Sequence, residues 1–370
     1  MTAASGPRGA AARLLVVGDV GRIAHRRAHD LPSLVRAGDV VIANDAATLP
    51  ASLAGEHEPT AAAIEVRLAG RRSLAWQRVR RFVAVAFGAG DHRTPTEQRP
   101  PPPPLHAGDR LRLGPLDAVV ERVLGHPRLI ELAFEGSLEH VWSGIARHGR
   151  PIQYAHVPQP LAMWSTWTRI ASLPVAFEPP SAGFVLDWAT VERLRARGAA
   201  LATLTHAAGI SSTGDAALDA LLPLDEPYRI PVATAAAIDA ARIDAAGIAG
   251  GRVIAIGTTV VRALEHAALP HGRVRTGDGI ATGRIGPGTR LRVADAIVSG
   301  THEAGTSHYE LLRAFQDDTT LSAMARELEA HGYQTHEFGD FVWLTRTDPA
   351  YRRSVPISAE SGAGCCRRLG

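Results

Sequence analysis

The order of secondary-structure patterns is the feature that most restricts the fold, because a β-rich stretch separates two stretches in which strands alternate with helices. Short alternating runs such as Arg110 to Leu113 and Leu129 to Phe134, separated by Gly, Pro and His, are typical of a small antiparallel barrel or sandwich. Alternating strands and helices are typical of an α/β domain. We therefore predict an α/β main domain in two segments, residues 1–67 and 151–350. An antiparallel β-barrel domain is inserted at residues 68–150, and residues 351–370 form a disordered tail.

Local patterns place several elements in the main domain. We predict helices at Asp30 to Arg36, with Asp30 as N-cap, at Asp187 to Arg197, and at Thr234 to Ala246, with Thr234 as N-cap. The apolar runs Ala200 to Thr205 and Arg252 to Ile256 read as strands. Polar groups at the ends of such strands are where α/β proteins place ligands.

The basic residues restrict the chemistry. All 40 of them are arginine, so mechanisms that need a lysine Schiff base, a lysine nucleophile or a P-loop lysine are excluded. The sequence pI near 9.2, with a formal charge of +3, is compatible with an RNA or phosphate partner but does not require one. Arginines of the β-rich stretch form a cluster that suits phosphates, although a solvated face is the alternative: Arg71, Arg72, Arg78, Arg80 and Arg81.

Targeting signals and cysteine chemistry are not indicated. No apolar stretch approaches the roughly 18 residues of a spanning helix, and the first twelve residues have no apolar core of a signal peptide. We therefore expect a cytoplasmic protein that does not enter a membrane. Cys365 and Cys366 are adjacent, which suits neither an unstrained disulfide nor a zinc site.

The strongest local candidate for a binding site is the junction of strand, Gly257-Thr258-Thr259 and helix. Glycine allows close approach of a ligand to the backbone, and the start of a helix favours an anion such as a carboxylate or phosphate. Arg262 lies four residues after Thr258, on the same helical face, and could add a contact. The alternative is an ordinary capped junction in which Arg262 pairs with Glu265.

Two histidines follow predicted strands. His206 ends Ala200 to Thr205, and His302 follows the predicted strand Arg292 to Val298. Histidine can act as acid or base near neutral pH, but a hydrogen-bonded structural histidine is an equally good interpretation. The spacing of His206, His302 and His308 is diagnostic of no metal geometry, so we predict no metal. A dinucleotide-binding fingerprint is also missing.

Several segments, in one order along the chain, carry a resemblance to a known family. Ala37 to Asp45 resembles P-G-D-L-L-V-x-N-D/N, Pro180 to Gly183 resembles A-P-T-A-G, and Ile256 to Glu265 resembles V-G-T-T-S-V-R-x-L-E. Thr203 to His206 resembles the T-L-H segment, and Glu226 with Tyr228 resembles H-S-E-x-Y. Asp295 and His302 fall on D-A-L-V-T-N-F-H-L-P, and Gly339-Asp340 on the closing Y-G-D-A-M. This is the pattern of the S-adenosylmethionine:tRNA ribosyltransferase-isomerase family of queuosine biosynthesis.

The resemblance implies both a fold and a reaction. The fold is an α/β main domain interrupted by a β-barrel domain. The reaction transfers and isomerises the ribosyl moiety of S-adenosylmethionine onto 7-aminomethyl-7-deazaguanine in tRNA, giving epoxyqueuosine and releasing adenine and methionine. S-adenosylmethionine is then a substrate, tRNA is the partner, and the expected protein is a monomer without a metal.

The resemblance also implies site residues. The candidates for catalysis are His206, Glu226, Asp295 and His302. The candidates for substrate binding are Asn44, Asp45, Ser181, Gly183, Tyr228, Gly257, Thr258, Thr259, Arg262, Gly339 and Asp340. Neither the motifs nor the spacing assigns one chemical role to one residue.

Some motif positions depart from the family. A threonine and an arginine of the family are replaced by Ala46 and Ala47, and a histidine is replaced by Val185. These changes remove a fixed charge and a titratable group. Two alternatives therefore stay open: an enzyme that uses S-adenosylmethionine with a different acceptor, and a non-catalytic protein that binds S-adenosylmethionine or RNA.

Overall fold

A nine-stranded mixed sheet and a closed six-stranded barrel organise the chain. The computed structural model describes residues 1–6, 11–18, 21–242 and 250–347. The strands, in chain order, are β1 (Thr2–Ala3), β2 (Arg13–Val17), β3 (Ile23–Arg27), β4 (Val40–Asn44), β5 (Ala46–Thr48), β6 (Ser52–His57), β7 (Ala62–Gly70), β8 (Arg81–Phe87), β9 (Arg110–Leu113), β10 (Leu116–Val123), β11 (Leu129–Phe134), β12 (Leu173–Ala176), β13 (Ala200–His206), β14 (Glu226–Ile230), β15 (Val253–Ile256), β16 (Gly277–Ala281), β17 (Ala296–Gly300), β18 (Gln334–Thr335) and β19 (Phe341–Thr345).

The helices surround these strands. The α-helices are α1 (Leu138–His148), α2 (Trp188–Ala196), α3 (Ala216–Asp219), α4 (Val232–Arg242), α5 (Thr258–Ala267), α6 (Ser307–Leu312) and α7 (Asp318–Ala330). Short 3₁₀ helices occur at Ala28–Leu34, Trp76–Arg78, Thr96–Gln98, Met163–Thr166, Ser181–Val185 and Pro270–Gly272.

The large sheet has a parallel centre. Its order is β16-β14-β13-β4-β15-β17-β19-β2-β3, and β13, β4, β15 and β17 run parallel to one another. The carboxyl ends of these four strands therefore meet at one edge, which we call the carboxyl edge. The opposite edge is the amino edge. Strand β14 is antiparallel to β13, so its first residue, Glu226, also lies at the carboxyl edge.

The central strands are apolar along their whole length because both faces of the sheet are covered. In β4, Val40 and Ile42 pack into a cluster that contains Ile238 of α4 and Leu264 of α5. The alternate residues of β4 pack on the other side, against Leu194 of α2. Such continuous apolar runs are expected for buried parallel strands. The predicted α/β fold is confirmed.

The barrel contains β10, β11, β8, β7, β6 and β9 in that order. The predicted antiparallel barrel is therefore confirmed, but its predicted start at residue 68 is wrong, because Ser52–His57 and most of Ala62–Gly70 are barrel strands. Strand β6 pairs with both β7 and β9, and this pairing closes the barrel. A local pattern cannot reveal it, because β9 lies more than 50 residues further along the chain.

Three predicted helices have different outcomes. The helix predicted at Asp187 to Arg197 is confirmed as α2. Its N-cap, which was not predicted, is Asp187, whose carboxylate accepts from the Thr190 N–H at 2.6 Å. The helix predicted from Asp30 is instead 3₁₀, and Asp30 lies in its first turn. Thr234 is not an N-cap but lies inside α4, where its hydroxyl donates to the carbonyl of Thr203 at 2.5 Å. The predicted end of that helix, at Ala246, lies outside the described residues.

Two other expectations concern the membrane and the tail. Among the helices of the described ranges, none combines the length and the apolar character that crossing a membrane requires. The predicted tail at residues 351–370, with its two cysteines, lies outside the described residues.

Candidate active site

A cleft lies at the carboxyl edge of the large sheet. Most of its walls follow the ends of the central strands. Its lining includes seven of the residues that the sequence singles out: Ser181, Glu226, Gly257, Thr258, Thr259, Arg262 and His302. The fold thus gathers residues that lie up to 121 positions apart in the sequence into one site.

Glu226 and Arg262 form a buried ion pair in this cleft. The Arg262 guanidinium donates to Glu226 Oε2 and to the carbonyl oxygens of Ala281 and Gly283, both at 3.2 Å. The other carboxylate oxygen of Glu226 accepts from the Gly209 N–H at 2.6 Å. Burial raises the pKa of Glu226, and the charge of Arg262 opposes that increase. Arg262 is therefore committed to holding Glu226.

The alternative partner of Arg262 is ruled out by this geometry. Glu265 faces away from Arg262 and accepts from the backbone N–H groups of Arg292, Val293 and Ala294 at 2.7 to 2.9 Å. The predicted Arg262–Glu265 pair is therefore wrong. The predicted anion contact of Arg262 also loses its main donors, since both terminal nitrogens already have protein acceptors.

His206 lies beneath Glu226 and is fully buried. Its Nε2 is 3.4 Å from Glu226 Oε2, but neither ring nitrogen has a hydrogen bond of good geometry within the described ranges. Burial, with the nearby charge of Arg262, holds the pKa of His206 well below its usual value, so the ring is neutral at pH 7. A buried histidine without hydrogen-bond partners is uncommon and requires an explanation.

The start of helix α5 faces the cleft without a side-chain cap. Gly257 occupies the N-cap position with φ +101°, and because glycine has no side chain it cannot cap the helix. This backbone conformation favours glycine, and an added Cβ would also lie 3.3 Å from the Cβ of Ala182. The first N–H groups of a helix have no partner within it. An anion site beside Thr258 is compatible with this uncapped start and stays a prediction.

Asn44 and Asp45 support the site from the end of β4. The Asn44 side chain accepts from the His206 N–H at 2.9 Å and donates to the His206 carbonyl at 2.9 Å. The same amide is 3.4 Å from Thr259 Oγ1. Asp45 accepts from the hydroxyls of Thr203 and Thr205 at 3.0 and 2.6 Å. Both residues therefore fix the ends of neighbouring strands and do not line the cleft.

His302 and His308 stack on each other at the cleft wall, with ring centroids 4.6 Å apart and planes 14° from parallel. Burial holds the pKa of His302 well below its usual value, and His308 and His336 add to that effect. Burial also lowers the pKa of His308 to about 4, together with the charge of Arg262. Both rings are therefore neutral at pH 7.

Glu178 is the functional candidate that the sequence analysis missed. Its carboxylate lies in the cleft, where it accepts from the Tyr154 hydroxyl and from the Ser211 N–H at 3.1 Å. Burial raises the pKa of Glu178 to about 7, and the negative charge of Glu337 contributes to the increase. The available signal was its position, directly before the Pro179-Pro180-Ser181 segment of the family-like motif.

Besides His206, Asn44 and Asp45, five further predicted site residues lie outside the cleft lining. Tyr228 donates to or accepts from His266 Nδ1 at 2.9 Å, and Gly183 packs beside Thr168. Asp295 lies at the amino edge, where it accepts from the Val253 N–H at 2.9 Å and pairs with Arg346 at 3.3 Å. The structure therefore does not bring Asp295 together with His206, Glu226 and His302.

Gly339 and Asp340 are the remaining two. Asp340 is fully buried and pairs with Arg13 at 2.8 Å, which joins β19 to β2. A Cβ at Gly339 would lie 2.3 Å from the carbonyl oxygen of Gln334. The contacts of this pair serve packing of the sheet.

Comparisons with known proteins show which chains this one resembles. The model of the family described as Queuosine biosynthesis protein matches residues 3–344. A protein of Azoarcus sp. (strain BH72), named S-adenosylmethionine:tRNA ribosyltransferase-isomerase, is 34% identical over 92% of this chain and 92% of its own length. A protein of the same name from Sorangium cellulosum (strain So ce56) is 33% identical over 91% of this chain and 93% of its own length. A solved S-adenosylmethionine tRNA ribosyltransferase from Thermotoga maritima superposes over 92% of this chain and 95% of its own, at 21% identity and a TM-score of 0.47.

Proposed function

The chain belongs to the Queuosine biosynthesis protein family, and on that premise we propose that it transfers and isomerises the ribosyl moiety of S-adenosylmethionine onto 7-aminomethyl-7-deazaguanine in tRNA. The products are epoxyqueuosine in the tRNA, adenine and methionine. One observation carries the proposal: Glu226, Thr258 and His302 line a single cleft with His206 directly beneath it.

The open start of α5 is the proposed site for the methionine carboxylate of the substrate. Thr258 and the uncapped N–H groups after Gly257 offer donors to a negative charge, and the helix dipole favours an anion there. In this proposal Arg262 does not bind the methionine carboxylate; it holds Glu226 in position. It is a positioning residue, because its contacts fix the carboxylate at the base of the cleft.

Glu226 and His206 are the proposed proton-transfer pair. The reaction needs a base for the 5′-carbon next to the sulfonium and an acid for the leaving adenine. Neutral His206 can accept a proton, and its unpartnered nitrogens keep that capacity free. Glu226 lies within 3.4 Å of His206 and can stabilise the imidazolium that would form. Preorganised charges of this kind are effective because they are shielded from water.

The proposed tRNA surface is an arginine-lined groove on the outside of the barrel. It is bordered by Arg71, Arg72, Arg78, Arg80, Arg81 and Arg122. Two glutamates neutralise part of this charge, since Glu121 pairs with Arg81 and Glu131 pairs with both Arg72 and Arg122. Arg78 is exposed beside Trp76, which is 51% exposed. Arginines bind phosphates and exposed aromatic rings stack on bases, so this groove suits an RNA.

The test is a product analysis with matched variants. Purified protein is incubated with S-adenosylmethionine and tRNA that carries 7-aminomethyl-7-deazaguanine, and the nucleosides and small molecules are identified by mass spectrometry. We expect epoxyqueuosine, adenine and methionine from the wild type and from Asp225→Asn, an exposed neighbour, but not from Glu226→Gln. Binding of S-adenosylmethionine without any turnover would contradict the proposal and favour a non-catalytic protein.

A second candidate function is ribosyl transfer to a different acceptor. Two observations favour it: Ala47 and Val185 are buried apolar residues where the family pattern has charged or titratable ones, and Glu178 adds a carboxyl with a pKa of about 7 to the cleft. Adenine release that requires another acceptor, with no change in the tRNA nucleoside, would support this function over the first.

A further inference from the structure

A cluster of two histidines and one glutamate lies beside the cleft, and the proposed reaction does not use it. His156 Nε2 is 3.1 Å from Glu337 Oε2, and the rings of His156 and His336 stack with centroids 4.3 Å apart. One potential ligand atom from each of the three residues lies within 4.8 Å of the other two. Two imidazoles and a carboxylate form a ligand set that divalent transition metals prefer.

The backbone presents His336 in an unusual way. Its φ is +68°, a conformation that is uncommon for residues other than glycine. The His336 side chain makes no hydrogen bond within the described ranges, although its ring lies against His156. The conformation thus turns the imidazole toward His156 and Glu337 while a ring nitrogen stays available for a ligand.

A second group of the same composition provides a contrast. His25, Glu327 and His331 also approach one another, but their side chains are 40%, 41% and 51% exposed. The ring nitrogens of this group already have other partners, since His25 Nδ1 contacts the Tyr333 hydroxyl and His331 Nδ1 contacts the Glu327 carbonyl, both at 3.0 Å. In the inner group His336 is also exposed, but His156 and Glu337 are only 17% and 18% exposed, so two of its three ligands are held by surrounding protein.

The inner cluster is connected to the cleft through Tyr154. The Tyr154 ring is parallel to that of His156 within 7°, with centroids 6.0 Å apart, and its hydroxyl donates to Glu178 in the cleft. Glu337 also lies close enough for its charge to act on Glu178. An ion bound at the cluster would therefore lie next to the cleft, separated from Glu178 by one aromatic ring.

We propose that His156, His336 and Glu337 bind one divalent transition metal ion of the zinc class. Ligand atoms about 2.1 Å from such an ion are separated by about 3.4 Å in a tetrahedral site, so side-chain rotations that bring the three ligands roughly 1 Å closer complete the geometry. Three protein ligands leave one position for water or for a group of a molecule in the cleft. This site goes beyond the proposed ribosyl transfer, which does not depend on it.

The test measures zinc binding to the full-length chain without S-adenosylmethionine or tRNA. The protein is freed of metal with a chelator, and Zn²⁺ affinity and stoichiometry are determined by competition with a chromogenic chelator. We expect one tight site in the wild type and in His331→Ala, and at least a 10-fold weaker site in His336→Ala and Glu337→Gln, because each loses a ligand. Circular dichroism spectra identify any variant that fails to fold.

Cobalt provides a second readout, because Co²⁺ in a tetrahedral or five-coordinate site gives visible absorption bands that depend on its ligands. We expect these bands in the wild type and in His331→Ala, and their loss in His336→Ala. Equal zinc affinity in wild type and folded His336→Ala would overturn the proposal, as would loss of the site in His331→Ala. Either result leaves the product analysis of the proposed function unaffected.

Discussion

The two edges of the central sheet treat buried charges in opposite ways. At the amino edge two buried carboxylates are each paired with an arginine and with a backbone N–H. Asp39 pairs with Arg252 at 2.7 Å and accepts from its N–H at 2.8 Å. Asp295 pairs with Arg346 and accepts from the Val253 N–H. These groups join neighbouring strands, and their charges are satisfied within the protein.

The carboxyl edge has titratable groups in excess of their partners. Glu178 has no arginine and only neutral donors, His206 has no hydrogen bond of good geometry within the described ranges, and His302 and His308 are held neutral by burial. Glu226 is matched by Arg262, and Asp340, next to the end of β17, is matched by Arg13. The contrast teaches that a buried charge marks a functional site when the fold leaves it without a full set of partners.

The largest effect is expected at the amino edge, on stability. Asp39→Asn removes the buried charge that balances Arg252, whose side chain is 12% exposed, and breaking a largely buried ion pair costs about 3 kcal/mol of unfolding free energy. Chemical denaturation measures this loss, while the activity of the folded fraction should equal that of the wild type. A matching loss of activity per folded molecule would show that the two edges are not functionally distinct.

Glu226→Gln should mainly reduce activity. We expect kcat/KM to fall about 100-fold, equivalent to about 2.7 kcal/mol, because the amide cannot stabilise a positive charge on His206 or exchange a proton. Steady-state measurement of adenine release checks this, with Asp225→Asn as the matched control. If Glu226→Gln retained wild-type kcat/KM while only its stability fell, the carboxyl edge would resemble the amino edge.

Glu178 should make stability depend on pH. The unfolded carboxyl ionises near 4.5 and the folded one near 7, so the folded state holds its proton more tightly and stability falls as the pH rises from about 4.5 to 7. Glu178→Gln removes this penalty. We therefore expect the variant to gain about 3 kcal/mol relative to the wild type at pH 8 and little at pH 4.5. Denaturation series at both pH values test this, and a gain that is equal at both would contradict the raised pKa.

The smallest effect is expected at the start of α5. Thr258→Val removes one hydroxyl from the proposed anion site while keeping the side-chain shape, and the loss of one hydrogen bond should weaken S-adenosylmethionine binding by about 1 kcal/mol, roughly 5-fold. Thr234→Val is the control, since its hydroxyl donates to the Thr203 carbonyl away from the cleft. Isothermal titration calorimetry measures the dissociation constant of S-adenosylmethionine for the wild type and both variants. If Thr258→Val has the same dissociation constant as the wild type, Thr258 is not part of the ligand site.

The sequence by itself determined the fold class and seven of the residues that line the cleft. Continuous apolar runs such as Val253–Ile256 identify buried parallel strands, and Gly257 marks the turn into the next helix. Because parallel strands end at one edge, residues after different strands were correctly expected to meet there. The motifs that resemble the family added the candidate site residues and agreed with the barrel insertion that the alternating runs had already predicted.

Only the tertiary structure decided which strands pair and which side chains contact one another across the fold. Local periodicity depends on neighbours in the sequence, so it could not reveal that β6 closes the barrel with β9 or that Arg262 pairs with Glu226. It also placed Asp295 inside a strand, whereas the pairing register begins that strand at Ala296 and leaves Asp295 at the amino edge. His156 and Glu337 are 181 residues apart, and their contact exists because the packed sheet brings distant segments together, which no short-range pattern encodes.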